Sequence, residues 1–136
     1  MITPACQQGL RGTALLVDDD ITYRHVIGEM LTEDGWDVIE TSTGEDALTF
    51  SGIDGKPTLL VTDINLGGGM DGWALGRLAR NQWPDIGLLF ISGENQRHQQ
   101  YYLPEVFLLK PFRRSDFLTA VAEVARTAAT GTESRP

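Results

Sequence analysis

Short apolar runs recur along this chain, and most of them are followed at once by a charged or hydroxyl side chain. Each run has four to six residues, too few for a buried helix but enough for a strand that is covered on both faces. The runs are Ala14–Val17, Trp36–Thr41, Thr58–Thr62, Ile86–Ile91 and Val106–Leu109. Because longer amphipathic segments separate them, the sequence predicts alternating strands and helices.

The segments between the runs carry apolar residues at helical spacing. The predicted helices are Ile21–Asp34, the weaker Glu45–Phe50, Asp71–Gln82 and about Arg114–Ala129. Their apolar positions are Tyr23, Val26, Ile27, Met30 and Leu31 in the first, Trp73, Leu75 and Leu78 in the third, and Phe117, Val121, Val124 and Ala128 in the last. Asp20 is suited to cap the start of the first helix, and Gly35 is suited to end it.

Strands that alternate with helices imply a parallel sheet with right-handed crossovers and helices on both faces. We therefore expect an α/β fold with a doubly wound five-stranded parallel sheet in the flavodoxin-like order 2-1-3-4-5. The interval Glu94–Leu103 leaves room for only a shortened fourth helix. The expected organisation is a flexible N-terminal arm over 1–12, one domain over 13–129 and a C-terminal tail over 130–136.

Charge and cysteine content narrow the functional classes. The 136 residues carry a net charge of −8, which disfavours a nucleic-acid-binding surface. The single cysteine, Cys6, excludes a disulfide within the chain and suits a reducing compartment. Neither a signal peptide nor a membrane-spanning stretch is evident in the sequence, so a cytoplasmic location without membrane partners is expected.

The reactive side chains are expected at one edge of the sheet, because ligands in such folds bind beyond the carboxyl ends of the strands. Asp18 and Asp19 follow the first strand, Asp63 the third, Ser92 the fourth and Lys110 the fifth. Clustered carboxylates stay ionised together only beside a cation, and oxygen ligands favour a hard ion such as Mg²⁺. A carboxylate can also attack phosphorus, and Asp63 is the better nucleophile candidate because it stands alone at its strand end.

Five motifs in order, LLVDDD, LLVTDINL, MDGW, FISG and LLKPF, resemble those of the response regulator receiver family of two-component signalling. The resemblance covers about residues 13 to 128. It implies that Asp18 and Asp19 form the acidic pair that binds Mg²⁺ and that Asp63 is the phosphoacceptor. It further implies that Asn65 offers its backbone carbonyl to the metal.

The same resemblance assigns roles to residues on the last two strands. Ser92 matches the switch hydroxyl that turns toward the phosphoryl group, and Gly93 matches the small residue that leaves room for it. Lys110, followed by Pro111, matches the lysine of the family. Phe107 matches the aromatic residue that swings inward, although the residue pattern alone favours a core position for it.

The chain departs from the commonest pattern of the family in the loop after Asp63. This loop is one residue longer than usual and has Gly67 where many members carry proline. The short interval before Lys110 resembles receivers attached to hybrid sensor kinases, and some stand-alone relatives.

The predicted function is a single-domain response regulator that takes a phosphoryl group on Asp63 from a histidine kinase or a histidine phosphotransfer protein. Such a chain accepts one phosphoryl group per cycle and is not an enzyme in the usual sense. It could serve as a phosphate shuttle, as a phosphate sink, or as a regulator that switches its affinity for a downstream protein.

Two alternatives come from different classes. One is a pseudo-receiver that binds partners without phosphorylation, suggested by the altered loop and the short fourth helix. The other is a phosphatase of the haloacid dehalogenase type, since Asp18-x-Asp20-x-Thr22 fits the nucleophile motif of that family. Against the phosphatase, no acidic pair follows Lys110 and Asp63 would have no function.

Overall fold

A computed structural model describes residues 11–50, 56–93 and 106–134 of this chain, with side chains of the last segment described over 107–125. The strands are β1 (Thr13–Val17), β2 (Asp37–Thr41), β3 (Leu59–Asp63), β4 (Gly87–Ser92) and β5 (Val106–Leu109). The helices are α1 (Ile21–Glu33), α2 (Gly44–Leu48), α3 (Gly72–Gln82) and α4 (Arg114–Ser134). The predicted short fourth helix falls in 94–105, outside the described residues.

All strand pairs are parallel, and the sheet order is β2-β1-β3-β4-β5. This confirms the predicted doubly wound, flavodoxin-like architecture. In that order the chain runs outward in one direction from β1 and in the other direction from β3, so a crevice opens between the carboxyl ends of these two strands.

Side chains of successive strand residues alternate between two hydrophobic layers, one on each face of the sheet. Leu16 and Leu59 point to the layer that is covered by α1 and α4. Leu15 and Leu60 point to the opposite layer, which is covered by α2 and α3. Because the central strands are buried on both sides, they consist of continuous apolar runs.

The ends of α1 follow the signals in the sequence. The Asp20 carboxylate accepts hydrogen bonds from the backbone amides of Thr22 and Tyr23, at 3.0 and 3.3 Å. At the other end, Gly35 adopts a φ of 101°, a left-handed conformation that glycine tolerates best. Both predicted helix signals are therefore confirmed.

The buried apolar faces of α1 and α3 are narrower than the sequence suggests. Val26 on α1 is 43% exposed and Leu78 on α3 is 45% exposed, so each lies at the edge of the buried face of its helix. The three tryptophans, Trp36, Trp73 and Trp83, are buried and serve as packing residues.

The last helix, α4, runs to Ser134, beyond the predicted end near Ala129. The sequence offers a reason, since Pro136 is the first proline after Pro111 and nothing earlier forces the helix to stop. Within the described ranges, no helix has both the length and the apolar character needed to cross a membrane.

Candidate functional site

Strand pairing brings the carboxylates together at one edge of the sheet. Val17 pairs with Thr62, so the next residue of each strand, Asp18 and Asp63, lies at the same level. One carboxylate oxygen from each of Asp18, Asp19 and Asp63 can be chosen so that all three lie within 4.8 Å of one another. The predicted acidic cluster is thus formed by the fold itself.

Asp18 is fixed by its backbone and by its side chain. The residue is only 1% exposed, and its carboxylate Oδ1 accepts a hydrogen bond from the Asp20 amide at 2.9 Å. Its carbonyl accepts one from Arg24 Nη1 at 2.7 Å, while its amide donates to the Thr41 carbonyl at 3.3 Å. The neighbouring Asp19 is exposed and offers its carboxylate to the solvent side of the cluster.

Asp63 divides its two carboxylate oxygens between two partners. The Asn65 amide donates to Oδ1 at 3.2 Å, and the Lys110 ammonium lies 3.0 Å from Oδ2. The residue is only 8% exposed, so the carboxylate faces a shielded but accessible crevice. A carboxylate held in this way, with one oxygen beside an ammonium, is a candidate nucleophile.

Lys110 links the two buried carboxylates. Its Nζ atom lies 3.0 Å from Asp63 Oδ2 and 3.4 Å from Asp18 Oδ2. The same atom lies 4.1 Å from the centre of the Tyr23 ring on α1. The backbone directs this placement, because the Lys110 amide donates to the Ser92 carbonyl at 2.7 Å.

The electrostatics of the cluster favour an added cation. Burial raises the pKa of Asp18, and the nearby Asp63 charge raises it further, against the lowering effects of the Asp20 amide and Lys110. Burial lowers the pKa of Lys110, but its hydrogen bonds and charge interactions with Asp63 and Asp18 outweigh this and raise it overall. When all are ionised, the cluster places three carboxylates around the Lys110 ammonium, so among these four groups negative charge exceeds positive charge.

This donor set fits a hard divalent cation. Three carboxylates that converge within 4.8 Å, with one of them exposed, offer oxygen ligands and leave positions for water. Mg²⁺ prefers one or two carboxylates and several waters to an all-protein cage. The residues present are therefore suited to Mg²⁺, as the sequence predicts.

Gly72 allows α3 to begin directly against the end of β3. A Cβ atom at this position would lie 2.3 Å from the Asp63 carbonyl oxygen and 2.7 Å from the Ile64 Cα. The Gly72 amide instead donates to the Ile64 carbonyl at 2.7 Å. The glycine of the MDGW motif thus has a steric function at the site that sequence analysis did not assign.

The loop between Asp63 and α3 depends on glycine conformations. Gly67 and Gly69 have φ values of 86° and 74°. Proline is fixed near a φ of about −65°, so the proline common in the family cannot occupy position 67 in this loop. The loop is held by the Glu45 carboxylate, which accepts a hydrogen bond from the Met70 amide at 3.2 Å.

The remaining predicted residues lie on β4 and β5. Ser92 is buried at the end of β4, beside the strand that leads to Lys110. Gly93 is exposed, and a Cβ atom there would meet the Lys110 side chain at an ordinary 3.7 Å. Phe107 packs on the face covered by α3, where its ring is stacked with Trp73 at 6.3 Å, away from the acidic cluster.

Comparison with known proteins identifies the family. The sequence profile described as "Response regulator receiver domain" matches residues 14–122. This chain belongs to that family. The match favours the receiver over the haloacid dehalogenase alternative, and in this receiver domain Asp20 serves as the cap of α1.

A curated relative and two solved structures share this likeness. The receiver domain is 32% identical over 117 residues to the sensor kinase CckA of Brucella abortus (strain 2308), covering 82% of this chain and 12% of that protein. A response regulator receiver protein from Sinorhizobium medicae WSM419 is 30% identical, with a TM-score of 0.74 over 85% of this chain and 95% of the other. The response regulator TrrA of Thermotoga maritima, solved with Mg(2+)-BeF, is 21% identical, with a TM-score of 0.72 and coverages of 82% and 97%.

Four residues around the site of the receiver domain were not assigned to it from the sequence: Tyr23, Arg24, Glu45 and Gly72. Tyr23 and Arg24 lie in the first turn of α1, close after the acidic pair, so their proximity to it could have been inferred. Glu45 contacts the loop from a different element and has no signal of its own in the sequence.

Proposed function

We propose that this receiver domain accepts a phosphoryl group on Asp63 from a histidine of a kinase or of a phosphotransfer protein. The observation that carries the proposal is the convergence of Asp63 with Asp18, Asp19 and Lys110 at the switch point of the sheet. This arrangement supplies a nucleophile, a cation-binding pair and a fixed positive charge. Membership of the receiver family supports the same function.

In the proposed reaction, a carboxylate oxygen of Asp63 attacks the phosphorus atom of the phosphohistidine. The new oxygen–phosphorus bond forms as the nitrogen–phosphorus bond breaks. The electron pair of the broken bond returns to the imidazole of the donor. The product is an acyl phosphate, which water later hydrolyses to restore the carboxylate and release phosphate. Lys110 stabilises negative charge on the transferring group.

Mg²⁺ would be held by the carboxylates of Asp18, Asp19 and Asp63, with the backbone carbonyl of Asn65 as a further ligand. When bound, the ion neutralises charge on the phosphoryl oxygens and orients them. The convergence of three carboxylates supports this assignment. A Thermotoga maritima response regulator with the same fold was solved in complex with Mg(2+)-BeF.

We further propose that phosphorylation shifts the domain between two conformations. Ser92 would turn toward the phosphoryl group, Gly93 would leave room for it, and Phe107 would move inward. A curated relative is a sensor kinase, of whose length this chain spans 12%, and this likeness supports a kinase as the phosphoryl donor. A single domain over 13–129, acting in the cytoplasm on a downstream protein, remains the expected format.

The test is to incubate the protein with Mg²⁺ and acetyl phosphate and then to measure its intact mass by mass spectrometry. We expect the wild type to gain one phosphoryl group, and we expect Asp63→Asn and an EDTA-treated sample to gain none. Asp37→Asn is the matched control, because Asp37 is an exposed aspartate at the start of β2, at the opposite end of the sheet.

Failure of the folded wild type to gain mass, both from acetyl phosphate and from phosphorylated histidine donors, would contradict the proposal and favour the pseudo-receiver alternative. Equal labelling of the wild type and Asp63→Asn would instead show that another side chain accepts the group.

A further inference from the structure

The Lys110 ammonium lies over an aromatic ring. Its Nζ atom is 4.1 Å from the centre of the Tyr23 ring, well within the distance of about 6 Å at which a cation and an aromatic face attract each other. Tyr23 is in the first turn of α1, and its ring also packs against Phe112 at a centre-to-centre distance of 6.0 Å. The position of the Tyr23 ring is therefore supported by a second aromatic residue.

The surroundings of Lys110 make this contact stronger than one on an open surface. The lysine side chain is only 13% exposed, and a cation–π contact strengthens as the cation loses water. The ammonium contacts Asp63 on one side and Asp18 on another. The ring is a further attractive neighbour for the same charge.

A neutral ring has a chemical advantage over another carboxylate at this position. A carboxylate would compete with Asp63 for the ammonium and would add negative charge to a cluster that already contains three carboxylates. The face of an aromatic ring attracts the ammonium and adds no net charge. It can thus restrict the lysine without drawing it away from the reacting carboxylate.

We propose that Tyr23 is a positioning residue for phosphoryl transfer, holding the Lys110 ammonium beside Asp63 through the electrostatic attraction of its ring. This inference rests on the proposed function, because the position of Lys110 affects the rate only if Asp63 accepts a phosphoryl group. Without the ring, the flexible lysine can sample orientations that turn away from Asp63, and fewer molecules are ready to react.

The test compares phosphorylation rates with acetyl phosphate at fixed Mg²⁺. We expect Tyr23→Phe to retain the wild-type rate within about twofold and Tyr23→Leu to lose about 3- to 10-fold, as expected for a desolvated cation–π contact. Tyr23 is then replaced by phenylalanines that carry one, two or three ring fluorines. Fluorine weakens the negative face of the ring with little change of shape, so the rate should fall with each added fluorine.

The control is the same fluorinated series at Phe50, a half-buried aromatic residue that packs in the core layer on the opposite face of the sheet. Here the rate should not change. Melting temperatures measured on every variant separate a loss of folding from a loss of rate. A flat fluorine series at position 23, in a protein that is phosphorylated normally, would overturn the inference and leave the proposed function intact.

A second readout does not need phosphorylation. The chain has two lysines, Lys56 and Lys110, so a proton–carbon NMR spectrum of labelled lysine shows two side-chain environments. The Tyr23 ring current should shift the Cε protons of Lys110 upfield, and Tyr23→Leu should remove this shift while the exposed Lys56 stays unchanged. An unshifted Lys110 in the wild type would overturn the contact. A folded wild type that shows the shift but is never phosphorylated would remove the proposed function, and the inference with it.

Discussion

The two connections that adjoin the clustered carboxylates are built in opposite ways. After β1, the chain passes into α1 within three residues, and hydrogen bonds from Asp20 and Arg24 fix Asp18 from two sides. After β3, eight residues intervene before α3, and the loop contains two glycines in left-handed conformations. One connection presents a preset ligand, whereas the other depends on contacts from elsewhere to keep its shape.

This difference shows where the site is sensitive to substitution. The β1–α1 connection contributes charge that burial makes costly, so its variants should act mainly through electrostatics. The β3–α3 connection contributes geometry, so its variants should act mainly through steric fit and loop mobility. Three substitutions probe the comparison.

The largest effect is expected for Gly72→Ala. The new Cβ atom would overlap the Asp63 carbonyl oxygen and force α3 away from β3. Overpacking of this kind costs about 1–3 kcal/mol, and we expect the upper end because the obstructing atoms are backbone. Urea denaturation should show the loss of unfolding free energy, and phosphorylation should slow with it.

Gly68→Ala is the matched control for that substitution, since a Cβ atom at Gly68 would meet nothing within 4 Å. If Gly72→Ala were as stable as Gly68→Ala, the close approach of α3 to β3 would not be a constraint on the site.

An intermediate effect, of opposite sign, is expected for Asp18→Asn. Burial raises the pKa of Asp18 above its ordinary value of 3.8, so the folded state holds a proton that the unfolded chain releases. Wild-type stability should therefore fall as pH rises from about 3.8 through the folded-state pKa, because ionised Asp18 is less stable in the fold. The asparagine variant lacks this cost and should be more stable than the wild type at pH 7.

The measurement is the free energy of unfolding at several pH values without Mg²⁺, together with the gain in melting temperature when Mg²⁺ is added. Asp19→Asn is the control, because Asp19 is exposed. We expect Asp19→Asn to weaken the Mg²⁺ response with little change in stability. A destabilised Asp18→Asn protein at pH 7 would show that the hydrogen bonds of Asp18 outweigh its burial.

The smallest effect is expected for Glu45→Gln, which weakens the acceptor for the Met70 amide. Loss of one charge-assisted hydrogen bond at an exposed position should loosen the β3–α3 loop and weaken Mg²⁺ binding by about twofold. Amide hydrogen exchange of Met70 should speed up. Asp46→Asn, at the neighbouring exposed position, should leave both quantities unchanged, and equal effects of the two variants would point to a general change of charge.

The sequence predicts the fold and the acidic site well for a physical reason. Strands buried on both faces need continuous apolar runs, and parallel strands place their carboxyl ends at one edge. The convergence of Asp18, Asp63 and Lys110 follows from these two rules. The contacts of Glu45 and the ring of Tyr23 do not, because they depend on side-chain directions between elements that are far apart in the chain.

The steric function of Gly72 could be predicted only in part from the sequence. The motif MDGW indicates a glycine at the start of a helix, but a helix start by itself does not require one. Only the distance to the Asp63 carbonyl oxygen shows that a larger residue would collide with the end of β3. Likewise, the extra residue of the loop can be counted in the sequence, whereas its left-handed glycines are visible only in the structure.

The position of Trp73 gives the domain an internal optical reporter. Its indole ring packs against Phe90 and Phe107, which are paired neighbours on β4 and β5, and its Nε1 atom has no hydrogen-bond partner within the part of the chain that the structure describes. The emission of an indole depends on the polarity and the quenchers around it, so a displacement of Phe107 would change the light that Trp73 emits. The conformational shift that we propose for this domain can therefore be tested in real time by tryptophan emission, without an attached dye.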